Sequence, residues 1–301
     1  MTALAGQPVA VNTGDTDYYR ELTTRNTGVI STSQQKTLRN ATVLIAGCGS
    51  TGGAAAEPLA RLGVRNFLIA DPGTYELNNL NRQNATTADL ERNKAVVAAE
   101  RILAINPNAQ VHTYEQGITS DCVAELTREC DVVIDGVDVT TMPGLRAKYL
   151  LHQNAAAQRL PLIMGWDMVG AQYIRCYDYR TMTRVLDGQL AEADLDQLSM
   201  WQILKRLVPA RYIPIEMFTI ATANLNNPDF SFPQLVYAAD LFGAMSAHMT
   251  AQILTGEKSR EHTYIDVHQL ARGNGARLRT ALRRPAAAVS LIRGVRRTAD
   301  N

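Results

Sequence analysis

From Ala41 to Tyr179, short apolar runs alternate with stretches whose apolar residues recur every three or four positions. The runs are ATVLIAG (41–47), RNFLIAD (65–71), AQVHTYE (109–115), DVVIDGVD (131–138), LPLIMGW (160–166) and AQYIRCYDY (171–179). Their length and near-continuous apolarity suit strands buried on both faces. Between them, residues 51–63, 93–107 and 119–130 carry helical spacing, the second stopped before Pro107. Strand and helix in alternation predict an α/β fold, a doubly wound and mostly parallel sheet with flanking helices.

The rhythm changes on either side of this core. Residues 1–16 are small and polar and read as an arm; residues 17–40 read as short helical pieces. Residues 180–230 mix charged and apolar segments without a strand–helix alternation, which for so long a stretch points to a functional or partly helical crossover. Residues 233–255 are helical and rich in small side chains, with Gly256 as the stop signal. This organisation divides the chain into an N-terminal arm with helices (1–40), an α/β core (41–179), a crossover and closing helix (180–267) and a tail (268–301).

Composition changes the picture mainly at that tail. The 301 residues hold 30 Lys+Arg against 29 Asp+Glu, a net charge of +1 that gives no sign of nucleic-acid binding. From His268 onward there are eight Arg, no Lys and one Asp, a net of +7, so the preceding residues net 1 − 7 = −6. Leu278, Leu282, Val289, Ile292 and Val295 recur among these arginines near helical spacing, with Pro285 interrupting. A basic amphipathic segment of this kind is suited to an anionic membrane or an acidic partner, although a solvated tail is the favoured reading. The four cysteines, Cys48, Cys122, Cys130 and Cys176, lack Cys-x-x-Cys spacing, so no zinc is expected. No signal peptide or spanning run is evident, and the thiols are read as reduced in a cytoplasmic protein.

The chemistry concentrates at strand ends. The first strand runs into Gly47-Cys48-Gly49-Ser50-Thr51-Gly52, a G-x-G-x-x-G turn that lets backbone approach a phosphate at a helix N-terminus. Asp71 closes the second strand, 71 − 47 = 24 residues later, where a carboxylate accepts from ribose hydroxyls in Rossmann-like folds. A dinucleotide such as NAD would need no more. Arg82 and Lys94, however, add cations where a reaction that breaks ATP between its α- and β-phosphates would need them. Asp138, beyond the fourth strand, lies where a carboxylate could hold magnesium. Asp135 stands nearby, and one of the two aspartates could instead cap the next helix.

Taken together, these blocks resemble the ThiF/MoeB/HesA family, bacterial relatives of ubiquitin-activating enzymes. The resemblance runs from Arg25-Asn26 through VLIAGCGSTGG (43–53), LGVRNFLIAD (62–71), NNLNRQ (78–83), NKAVVAAERILAINP (93–107), DVVIDGVD (131–138) and PLIMG (161–165) to Gly256. It implies an ATP-dependent adenylyltransferase. Gly47, Gly49 and Gly52 would form the phosphate turn and Asp71 would bind ribose. Asn79 and Arg82 would contact ribose and phosphates with support from Gln83, Lys94 would bind phosphates, and Asp138 would hold magnesium. It further implies a homodimer in which Arg25 reaches the partner's γ-phosphate, Arg20 being a weaker candidate. The activated carboxylate would belong to a ubiquitin-like sulfur carrier, a peptide or a small biosynthetic acid.

Two positions depart from the family pattern: Gly73, where many relatives have a second aspartate, and Val139, where asparagine is common. No cysteine after Cys176 could form a thioester, which implies direct transfer from the adenylate. Trp166 could line the acceptor pocket or the core, and the Trp201 helix reads as a cap over the substrate. Two other functions fit parts of the pattern: an NAD-dependent oxidoreductase, which leaves Arg82 and Lys94 unexplained, and a non-catalytic ATP-binding scaffold, suggested by Gly73 and Val139.

Overall fold

A computed structural model describes residues 14–227 and 230–299. Among the described residues, seven strands form one sheet: β1 (Thr42–Ala46), β2 (Asn66–Ala70), β3 (Gln110–Tyr114), β4 (Val132–Asp135), β5 (Pro161–Met168), β6 (Ala171–Asp178) and β7 (His262–Asp266). Their order is β3-β2-β1-β4-β5-β6-β7, parallel through β5 and antiparallel at β6 and β7. The helices are α1 (Asp15–Leu22), α2 (Thr32–Asn40), α3 (Ser50–Leu62), α4 (Lys94–Ile105), α5 (Val123–Arg128), α6 (Met142–Ala157), α7 (Asp194–Gln197), α8 (Met200–Leu207), α9 (Ile215–Asn224), α10 (Val236–Leu254), α11 (Val267–Ala271) and α12 (Asn274–Ala299).

Period-two alternation sends the strands' side chains into two cores. Val43, Ile45, Phe67, Ile69, Val132, Ile134 and Ile163 meet α3, α4 and α10 on one face. Leu44, Leu68, Val133, Leu162 and Met164 meet α5, α6 and the crossover residues on the other. All six strands expected from the apolar runs are present, as is the mostly parallel sheet. Absent from that expectation are β7 and α6. The crossover holds the short helices α7, α8 and α9 rather than an unstructured loop.

The basic tail is solvated over much of its length, with Leu278, Leu282 and Val289 exposed, but it is an ordered helix. It forms α12, which continues through Pro285 and packs against α9 and α8. Arg272 pairs with Glu216, and the Arg284 guanidinium donates to the carbonyls of Ala210 and Arg211. Among the described residues, no helix is long and apolar enough to cross a membrane.

Candidate nucleotide and acyl site

Strands β1, β2, β4 and β5 run in parallel, so the segments after Ala46, Ala70, Asp135 and Met168 emerge at one edge. The strand order reverses at β1, which opens a crevice there. A cavity of about 1090 Å³ occupies it.

The glycine turn is built by steric need. Gly47 has φ +83, and a Cβ there would lie 2.3 Å from the Gly136 carbonyl oxygen. A Cβ on Gly52 would lie 1.8 Å from the Gly47 carbonyl oxygen. The turn therefore folds back tightly against the β4 edge and the first turn of α3. Asp71 ties this turn to β2: its carboxylate accepts from the Cys48 N–H at 2.5 Å and from the Gly73 N–H at 2.7 Å. Burial raises its pKa, and those two N–H groups and Lys94 work against the rise. Glycine at position 73 thus contributes a backbone donor to the carboxylate.

The cations are placed by neighbouring caps. Asn93 caps α4 through the N–H groups of Ala95 and Val96 and donates to the Asp71 carbonyl, which sets Lys94 at the cavity. The Lys94 ammonium stands 5.6 Å from the Tyr75 ring centre. Arg82 is half-buried; its Nε donates to the Gln234 side chain at 2.6 Å and its Nη1 to Asn81 at 2.9 Å. Burial lowers the Arg82 pKa, opposed by Asp167. Asn79 is buried and accepts from the Glu76 N–H.

The two aspartates after β4 separate cleanly. Asp135 is fully buried, 2.5 Å from the Lys148 ammonium and 2.9 Å from His152 Nε2. Asp138 is exposed at the cavity edge, where its Oδ1 accepts from the Thr140 N–H and hydroxyl. Thr141, rather than either aspartate, caps α6. The structure therefore brings Gly47, Gly49, Asp71, Asn79, Arg82, Gln83, Lys94 and Asp138 to one cavity, with Gly52 packed beneath. Arg25 and Arg20 are exposed and do not line it, and Arg20 pairs with Asp17. Cys48 is buried, and burial pushes its thiol well up, so it packs under the turn.

The opposite wall comes from later in the chain. Trp166, Trp201, Leu204, Phe232, Leu291 and Val295 make it largely apolar. Sequence reasoning missed Gln234, Asp167 and the α12 residues. For Gln234 no local signal exists, because its role depends on a contact with Arg82 across the fold. Asp167 could have been found as a charged residue closing an apolar strand.

A parallel sheet in this order, with a glycine turn at its switch point and cations facing the cavity, defines a doubly wound α/β protein of the nucleotide-binding kind. Within that class, a match to the ThiF family model spans residues 23–285, and the chain belongs to the ThiF family. It is 31% identical over 163 residues to "Adenylyltransferase and sulfurtransferase MOCS3" of Dictyostelium discoideum, covering 54% of this chain and 36% of that protein. It is 32% identical over 139 residues to the "Sulfur carrier protein ThiS adenylyltransferase" of Bacillus subtilis (strain 168), covering 45% of this chain and 40% of that protein. The matches span about a quarter to about half of the curated relatives' length. Among solved structures, PaaA shares the fold at a TM-score of 0.61 with 18% identity, over 86% of this chain and 82% of that one.

Proposed function

We propose that the protein is an ATP-dependent adenylyltransferase that activates a carboxylate as an acyl-adenylate. The observation that carries this reading is the convergence of the glycine turn, Asp71, Arg82, Lys94 and Asp138 on one cavity. The N–H groups of the turn and of α3 would receive the phosphates, Asp71 would accept from ribose, and Arg82 and Lys94 would balance the charge that grows on the leaving group. A carboxylate oxygen of the substrate attacks the α-phosphorus. The bond from that phosphorus to the bridging oxygen breaks, and pyrophosphate leaves. The protein contributes position and charge rather than a covalent nucleophile.

Asp138 is the residue that would hold magnesium, which supplies further neutralisation of the phosphates. The donor set fits: a single cavity-edge carboxylate suits an ion that shares its shell with phosphates and water. Among the described residues, no group of three or more His, Cys, Asp or Glu could form a closed metal cage.

The acyl group would pass directly to a nucleophile with release of AMP, since the four cysteines are buried. The substrate would be the C-terminus of a ubiquitin-like sulfur carrier, a peptide or a small acid; the naming of the Bacillus relative for a sulfur carrier supports the first. Arg25, exposed and away from its own cavity, suits a homodimer in which it completes the partner's site.

Carboxylate-dependent ATP–pyrophosphate exchange tests the reading. Arg82→Ala and Lys94→Ala should each lower exchange by about 100-fold or more, the scale of a lost charge-stabilising donor. Exchange that survives both substitutions unchanged would sink it.

A further inference from the structure

The outer face of α12 carries an apolar stripe that the fold leaves uncovered. Leu278, Leu282 and Val289 are 62%, 72% and 45% exposed. They stand four and seven positions apart (282 − 278 = 4, 289 − 282 = 7), a spacing that puts them on one side of a helix. Exposed Ala281, Pro285 and Ala286 fill the gaps between them. At a helical rise of about 1.5 Å per residue, the stripe makes a ridge about 17 Å long.

The arginines of the tail divide between two faces. Arg272 turns inward to Glu216, and Arg284 to the carbonyls of Ala210 and Arg211, so these two hold the tail to α9 and the turn before it. Arg277, Arg279, Arg283, Arg293 and Arg296 are exposed, and among the described residues none of them forms an ion pair. By helical position Arg279 and Arg283 follow one flank of the stripe, Arg277 lies on the other, and Arg293 and Arg296 continue it past Val289. Between Asp266 and Asp300 the chain contains no Asp or Glu. The face therefore has nothing to repel an anionic surface and five cations to attract one.

Shape narrows the partner further. An acidic protein would need a groove matched to the leucines, because α12 offers a single convex ridge. A bilayer needs no such match: it receives apolar tips at the boundary of headgroups and acyl chains, while the long arginine stems reach back to the phosphates. Two leucines and a valine bury little area, so most of the affinity must come from charge. Each arginine near an anionic leaflet raises partitioning roughly fivefold, and salt weakens that gain.

We propose that the outer face of α12 docks on an anionic phospholipid bilayer, with the helix lying in the plane of the interface. The inner face of the same helix lines the cavity through Leu291, Ile292 and Val295. The membrane would thus lie about one helix diameter, roughly 10 Å, from the enclosed site. Docking of this kind does not depend on adenylyltransferase activity.

Cosedimentation of the full chain with sucrose-loaded vesicles tests it, pure phosphatidylcholine being compared with phosphatidylcholine containing about a third phosphatidylglycerol. The bound-to-free ratio should be at least about tenfold higher on the anionic vesicles, and should fall about tenfold or more between about 0.05 M and about 0.5 M salt. Arg279→Gln with Arg283→Gln should lower it about 10- to 30-fold. Leu278→Ser with Leu282→Ser should lower it at least about tenfold, and Leu278→Ala with Leu282→Ala serves if circular dichroism shows that the serine pair unwinds the helix. Equal partitioning onto both vesicle types would overturn the proposal. So would a loss confined to the arginine pair, which marks adsorption by charge without docking of the ridge. In the absence of vesicle binding, capture by poly-L-glutamate would assign the face to an acidic protein. A sedimentation coefficient that changes in the leucine pair would assign it to a second copy of the chain. Either outcome overturns membrane docking.

Discussion

Single side chains at the sheet edge show how burial divides labour between residues that look alike in sequence. Asp135 and Asp138 lie three positions apart, yet one is locked in the interior and the other faces the cavity. Burial tends to raise the Asp135 carboxyl, but Lys148 and His152 outweigh it and hold the group below its usual range. Asp135→Asn would leave the Lys148 ammonium buried without a counter-charge. We expect a loss of about 3–5 kcal/mol, read as a lower urea midpoint at neutral pH. Lys148→Met should cost less, because Asp135 keeps His152 and the Val137 N–H. Gly52→Ala acts through shape instead: its Cβ cannot coexist with the Gly47 carbonyl, so the turn must open. Calorimetric ATP binding should weaken by at least about tenfold while the far-ultraviolet helix signal is retained.

At the level of elements, the strand edges and the phosphate turn were legible because their signals are local. Apolar runs, glycine spacing and an aspartate at a strand end all fall within a few residues of one another. Helix α6 was not legible, because it buries Lys148 and His152 and so reads as a scrambled face. Strand β7 was missed for a related reason: its residues HTYID are all half-buried at the sheet's edge and mix polar with apolar types. The orientation of Arg82 by Gln234 is set by tertiary contact alone. Helix α12 was legible as amphipathic but not as a wall, since its partner α9 lies in the segment without periodic signal. Its docking is testable. Val295 is buried against that wall, and Val295→Asp should release the C-terminal half of the helix. Limited trypsin digestion should then cut at Arg293 and Arg296 several-fold faster, while a Val295→Ile control stays near the original rate.

For the molecule as a whole, the buried cluster makes stability depend on pH. His152 donates from Nε2 to the Asp135 carboxylate and its Nδ1 bonds the Tyr179 hydroxyl, which in turn accepts from the Leu186 N–H, so one chain of contacts joins β4, α6 and the crossover. Burial lowers the His152 pKa from its ordinary 6.5, against the pull of Asp135. Above that value neither the folded nor the unfolded chain binds a proton there. Below it the unfolded chain does and the folded one resists, so this contribution falls as pH drops from 6.5 toward the lowered folded value. The protein should therefore be less stable at pH 5.5 than at pH 7.5, measurable by urea unfolding, and His152→Gln should flatten that part of the profile. Oligomeric assembly is tested separately. Mixing Arg25→Ala with Asp138→Ala subunits should restore up to about a quarter of the activity if each arginine serves the neighbouring site, as two of four random subunit pairings are mixed and each of these has one intact site in two. No restoration would place the arginine outside the reaction.

The two walls of the cavity are also separated in time. The phosphate-facing wall is complete once Asp138 has been made, whereas Leu291 and Val295 of the opposite wall follow roughly 150 residues later. At translation rates of about 5–20 residues per second, the growing chain spends roughly eight to thirty seconds with the opposite wall incomplete. A ribosome-bound chain arrested within this interval would present the phosphate turn to solvent on an open ledge. Enclosure therefore arrives as a late event in the life of each molecule, set by the linear order of the chain.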